Sequence, residues 1–121
     1  MMTNKPKFNL FANISYALAG MVEVLRSERS FKTQLFVISL IGVALWFVPI
    51  ATSSKAILFI STWIVLVAEA FNSAIERVVD LVTTEFHPLA KQAKDIGAFG
   101  VLLAFLLTAG IWAVVILFEL K

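Results

Sequence analysis

The sequence predicts an all-α membrane protein in which an N-terminal amphipathic surface helix precedes three transmembrane helices, as one domain over 1–121. Three observations lead there. Of 121 residues, 60% are hydrophobic and only 15% charged, against about a quarter charged in an ordinary soluble domain. The mean hydropathy is +0.94. The apolar residues fall into long runs, each near the roughly 20 residues that a bilayer span requires, with the charges gathered between them. A chain of this length is filled by such an arrangement, and no separate soluble domain is expected.

The first element follows from periodicity. Phe11, Ile14, Leu18, Met21 and Leu25 recur at steps of three and four, while Asn13, Tyr16, Gly20, Glu23 and Ser27 fall elsewhere on the wheel. This predicts an amphipathic helix over about 8–27. Its stripe is too narrow for a span, so it should lie in the membrane interface, or alternatively pack on the bundle. Lys5 and Lys7 precede it, but Phe8 to Leu25 is interrupted by polar residues and has no Ala-x-Ala-like site, so a cleaved signal peptide is not expected.

Arg26, Ser27, Glu28, Arg29, Ser30 and Lys32 mark a water boundary before the first span, about 31–51, which Pro49, Thr52, Ser53 and Ser54 should end. The second span, about 56–81, is apolar through Ala68 and then acquires polar groups. Val82 to Lys94 reads as a polar connection, and the third span, about 95–118, carries no charge from Ile96 to Phe118. Gly97, Gly100 and Gly110 should let it approach its neighbours closely. Trp46, Trp63 and Trp112 suit membrane packing or the interface. Lys and Arg concentrate before the first span and, as Arg77, Lys91 and Lys94, around the second connection, whereas the other side has only Lys55 and Lys121. The N-terminus and the second connection should therefore be cytoplasmic.

Composition also excludes functions. Without cysteine there are no disulfides or thiolate metal sites, and one histidine rules out imidazole-rich sites. A net charge of +2 with dispersed basic residues leaves no footprint for nucleic acid.

The feature that points to chemistry is a polar stripe. At about 100° per residue, Glu69, Asn72, Ser73, Glu76 and Asp80 share one arc of the second spanning helix. Such a stripe must face protein or water, because a carboxylate at bilayer depth costs about 2.5 to 3.5 kcal/mol on insertion scales. It could serve as interhelical ties, for instance to Arg77 or Lys94. Depth separates its members otherwise: Glu69 is the most buried and suits a general base, while Glu76, about 10 Å nearer the cytoplasm, suits a hydrated cation. Carboxylates there, with Glu28, Glu85 and Asp95, favour hard oxygen-ligated ions such as magnesium. Magnesium suggests phosphates, with Lys91 and Lys94 as countercharge. Phosphoryl transfer at the cytoplasmic interface is then expected, although no P-loop or Gly-rich kinase loop is present. An oligomeric proton or ion pathway would use the same stripe. His87, Glu23 and Arg29 taken singly are ordinary surface groups.

The run Glu69-Ala-Phe-Asn-Ser-Ala-Ile-Glu76-Arg-Val-Val-Asp80, followed by Glu85-Phe-His-Pro and Ala93-Lys94-Asp95-Ile-Gly97, closely resembles the prokaryotic diacylglycerol kinase family, and Tyr16, Gly20, Glu28 and Phe31 extend the match. The resemblance implies a homotrimer in the bacterial inner membrane, with active sites formed between neighbouring protomers. It implies ATP-dependent phosphorylation of diacylglycerol to phosphatidate, with Glu69 as base, Asn72 orienting it, and Glu28 and Glu76 holding magnesium. By the same resemblance Tyr16, Glu85, Phe86, His87, Lys94 and Asp95 line the nucleotide site, and Phe31, Gln34, Ala98 and Trp112 join Glu69 on the lipid side. Some members have an acidic residue where Gln34 stands and a serine where Ala98 stands. His87 to Lys94 and Arg26 to Phe31 also look like relatives that phosphorylate undecaprenol, which is the other substrate implied.

Overall fold

The computed structural model describes residues 7–121, and Lys5 lies outside them. Four helices follow in order: α1 (Leu10–Ser27), α2 (Arg29–Phe47), α3 (Thr52–Val82) and α4 (Pro88–Glu119). Among the described residues there is no strand. The last three helices are long and apolar enough to cross a membrane.

Local chemistry sets the boundaries. Asn9 starts α1, its side-chain oxygen accepting from the Ala12 amide at 3.2 Å. A single non-helical residue, Glu28, with φ −103° and ψ 106°, separates α1 from α2. Pro49 has no N–H to continue α2 and disfavours helix at Val48 before it. Thr52, Ser53 and Ser54, expected in a turn, instead form the first turn of α3, where the Lys55 amide donates to Ala51 O at 3.0 Å. Lys55 Nζ reaches back to Trp46 O at 3.2 Å, and Ser54 donates to the Glu119 carboxylate, closing this end of the bundle.

The second connection is shorter than the polar stretch predicts. α4 begins at Pro88, so Lys91 and Lys94 are helical and only Thr83 to His87 is irregular. Proline suits the first helical position because its missing N–H would have no partner there. The His87 ring caps the helix, Nδ1 accepting from the Leu89 amide at 3.1 Å. A polar composition was no bar to helix here, since lysine and glutamine are good helix formers.

α3 is the spine. It packs chiefly on α4 and then on α2, and contributes Leu58, Val65 and Leu66 to a core completed by Ile38, Leu45 and Ala104. Buried Ser61 and Thr62 are satisfied within the helices, as hydrocarbon demands. Ser61 Oγ donates to Leu58 O at 2.7 Å and accepts from Trp112 Nε1 at 3.1 Å, while Thr108 Oγ1 donates to Ser61 O at 3.0 Å. α1 buries no residue. Phe11, Ile14, Leu18 and Met21 are all exposed, which fits a helix resting on a membrane surface rather than packed on its own bundle.

Of the three glycines expected at close approaches, only Gly97 makes one: a Cβ there would collide with Asn72 Oδ1, whereas Gly100 and Gly110 have open space around them. Gly97→Ala should therefore destabilise the fold by about 1 to 3 kcal/mol through overpacking. Gly20→Ala, equally helical but unobstructed, should be neutral or stabilising by up to about 1 kcal/mol. Thermal unfolding in detergent, compared between the two variants, checks this.

Candidate active site

The members of the polar stripe of α3 have different partners, on α2, at the joint, on α4 and within α3 itself. At the deep end, Glu69 Oε1 accepts from Gln34 Nε2 of α2 at 2.6 Å. One turn on, Asn72 Nδ2 donates to Glu76 Oε1 at 3.1 Å within α3, and the Asn72 oxygen, buried without a hydrogen-bond partner, lies against Gly97 of α4. Buried Ser73 donates to Glu28 Oε1 at 2.8 Å, tying the joint between α1 and α2 to α3. At the charged end, Asp80 pairs with Lys94 of α4 at 2.7 Å.

The partners differ in kind as well as place. Asp80 faces a lysine, and Glu28 has Arg77 at 3.6 Å. Glu69 and Glu76 are held by neutral amides alone. Amide donors orient a carboxylate without pairing it to a cation. Ties to Arg77 and Lys94 thus exist, but among the described residues of the stripe they account for Asp80 alone, through Lys94, while Arg77 pairs with Glu23 and Glu28 outside it.

Three cavities surround these groups. A polar one of about 140 Å³ is lined by Glu28, Phe31, Glu69, Asn72, Ser73 and Glu76 among others. Among the described residues no three carboxylate or histidine side chains converge as a ready metal cage, yet three carboxylates border this one space. A second cavity, about 400 Å³, lies at the connection between α3 and α4 and includes Asp80, Glu85, Phe86, His87, Lys94 and Asp95. The third, about 450 Å³, is an apolar groove between α2 and α4 along the face of α3, bordered by Val37, Ile38, Thr62, Phe105 and Trp112 and reaching Gln34. Gln34 therefore stands between the apolar groove and Glu69, and Glu69 between Gln34 and the polar cavity.

The residues expected at the site divide accordingly. Glu28, Phe31, Glu69, Asn72 and Glu76 meet around the polar cavity, with Phe31 there rather than in the apolar groove. Gln34 and Trp112 border the groove, and Trp112 is also tied to Ser61. Glu85, Phe86, His87, Lys94 and Asp95 gather at the connection. Three of these already have local partners: His87 Nδ1 is committed to the helix cap, Asp95 pairs with Lys91 at 2.5 Å, and Lys94 with Asp80. Tyr16 and Ala98 are exposed and border none of the three cavities. The hydrogen bond of Asn72 runs to Glu76; the one on Glu69 comes from Gln34. Sequence reasoning assigns no chemistry to Glu23 and treats Arg77 only as a tie. Arg77 follows Ser73 by one turn, just beside the stripe, and this spacing was the available signal that it would reach the same carboxylates.

The sequence profile described as prokaryotic diacylglycerol kinase matches residues 15–116. A diacylglycerol kinase of Pseudomonas aeruginosa is 33% identical over 103 residues, covering 84% of this chain and 83% of the relative. One from Haemophilus influenzae is 32% identical over 111 residues, covering 91% and 93%, and one from Escherichia coli K12 is 29% identical over 101 residues, covering 84% and 83%. The matched region contains every residue that lines the polar cavity, from Val24 to Glu76. With its three apolar helices and this match over most of its length, the chain is a membrane protein that belongs to the prokaryotic diacylglycerol kinase family.

Proposed function

We propose that the protein transfers the γ-phosphoryl group of ATP to the hydroxyl of diacylglycerol, giving phosphatidate, at the cytoplasmic face of the bacterial inner membrane. The observation that carries this function is the position of Glu69, at the meeting point of an apolar groove and a polar cavity bordered by two further carboxylates. A lipid alcohol needs such a meeting point, because its chains stay in hydrocarbon while its hydroxyl reaches a phosphate.

Glu69 serves as the general base. Gln34 Nε2 holds Oε1, which leaves Oε2 to accept the hydroxyl proton as the oxygen attacks phosphorus. The acyl chains lie in the groove beside Trp112, with Phe31 and Ala98 also on the lipid side. Glu28 and Glu76 suit magnesium: both offer hard oxygens to one small polar space, and this ion needs only one or two carboxylates besides phosphate oxygens and water. When bound, magnesium supplies charge neutralisation for the phosphates. Asn72 orients Glu76 through its hydrogen bond.

The nucleotide occupies the connection between α3 and α4, among Glu85, Phe86, His87 and Asp95, with Lys94 exchanging Asp80 for phosphate. His87 offers only Nε2 to it, since Nδ1 is engaged in the cap. Tyr16 and Ala98, exposed away from their own chain's cavities, fit a homotrimer in which they complete a neighbouring protomer's site. Undecaprenol is the alternative lipid, since the same groove and base suit any long-chain alcohol.

Purified protein incubated with radiolabelled ATP, magnesium and either diacylglycerol or undecaprenol should label diacylglycerol faster. A faster rate with undecaprenol would change the substrate, and absence of transfer to any lipid alcohol would refute the kinase and favour an ion pathway. Glu28→Gln and Glu76→Gln should each raise the magnesium concentration for half-maximal rate by about 10-fold or more, measured by titrating magnesium at fixed ATP.

A further inference from the structure

Arg77 is the only cation among the described residues that meets a carboxylate of the polar cavity. Its guanidinium spans the joint between α1 and α2. On the α1 side, Nη1 donates to Glu23 Oε1 at 3.2 Å and Nη2 to Ser27 Oγ at 2.6 Å. At the joint itself, Nη2 lies 3.6 Å from Glu28 Oε1, the same oxygen that accepts from Ser73 of α3 at 2.8 Å.

We infer that Arg77 is a positioning residue of the metal and nucleotide site, gripping the last turn of α1 so that the Glu28 carboxylate stays over the space it shares with Glu69 and Glu76. This rests on the function proposed above. Glu28 is the one residue of the joint outside any helix; its amide donates to Val24 O and its carbonyl accepts from the Lys32 amide, so α1 and α2 pivot on a single extended residue. α1 buries nothing, and among the described residues its side-chain hydrogen bonds to another element are those made by Arg77. Release of Arg77 would loosen the angle of the joint and leave Ser73 alone to direct the Glu28 carboxylate. An isolated exposed ion pair contributes little. Here one planar fork joins two carboxylates and a hydroxyl, a geometry that lysine cannot reproduce with a point charge.

The chain has no cysteine, so spin labels can be placed at Ala17→Cys on α1 and Leu81→Cys on α3 without background. In labelled protein diluted into unlabelled protein in vesicles, Arg77→Met should broaden the α1 to α3 distance distribution. It should also weaken binding of manganese with ATP, read from the free-manganese resonance, by about 10-fold. Arg77→Lys should recover part of both effects, and the kinetic counterpart is a raised KM for the metal-nucleotide with a smaller change in kcat. An unchanged distribution in Arg77→Met would overturn the grip on α1. A broadened distribution with unchanged manganese-nucleotide affinity would overturn the role in placing Glu28. Wild-type protein that binds manganese with ATP but phosphorylates no lipid would instead refute the proposed function and leave the positioning role supported by the first two results.

Discussion

A carboxylate on an apolar helix must find a partner, and the rest of this structure is organised around that requirement. α3 carries Glu69, Asn72, Ser73, Glu76 and Asp80 along one face, each acid costing about 2.5 to 3.5 kcal/mol if left at bilayer depth. Their partners come from α2, the joint and α4: Gln34, Glu28 and Lys94, with Gly97 leaving room for Asn72. The same contacts that satisfy the stripe therefore set how α2 and α4 lie against α3. Nonpolar burial alone would do this less specifically, because lipid solvates leucine as well as a neighbouring helix does.

The order of those partners is what turns a structural stripe into a site. Cations meet Asp80 at the charged end, through Lys94, and Glu28 at the joint, through Arg77. Glu69 and Glu76 have amides as their hydrogen-bond donors. A purely structural tie would be expected to neutralise its acids where water is scarcest. Here Glu69 and Glu76 border the small polar cavity without a paired cation among the described residues, an arrangement that suits the metal and phosphates of the proposed reaction, with the apolar groove as the proposed path of the lipid.

Much of this was legible in the sequence. The all-helical class, the three apolar helices and the common face of Glu69 to Asp80 follow from hydropathy and a 3.6-residue period, both local properties of the chain. Helix ends were less legible. Lys91 and Lys94 read as connection because they are polar, while Pro88 and the His87 ring cap, which actually start α4, act through geometry that composition does not reveal. The partners of the stripe were least legible. That Gln34 would orient Glu69, that Asn72 would turn to Glu76, and that Arg77 would reach back across α1 depend on the register between helices distant in sequence. Among glycines the same limit applies: only the tertiary contact with Asn72 distinguishes Gly97 from Gly100 and Gly110.

The proposed division of labour around the polar cavity, a base at Glu69 apart from the metal-side carboxylates Glu28 and Glu76, is tested most directly by Glu69→Gln. The substitution keeps the shape of the side chain and removes its capacity to take a proton. Single-turnover transfer from bound ATP to diacylglycerol should fall by at least about 100-fold, while equilibrium binding of the magnesium nucleotide stays within about threefold of wild type, since Glu28 and Glu76 are untouched. Transfer at the wild-type rate would contradict the account, as would a loss fully explained by failure to bind nucleotide.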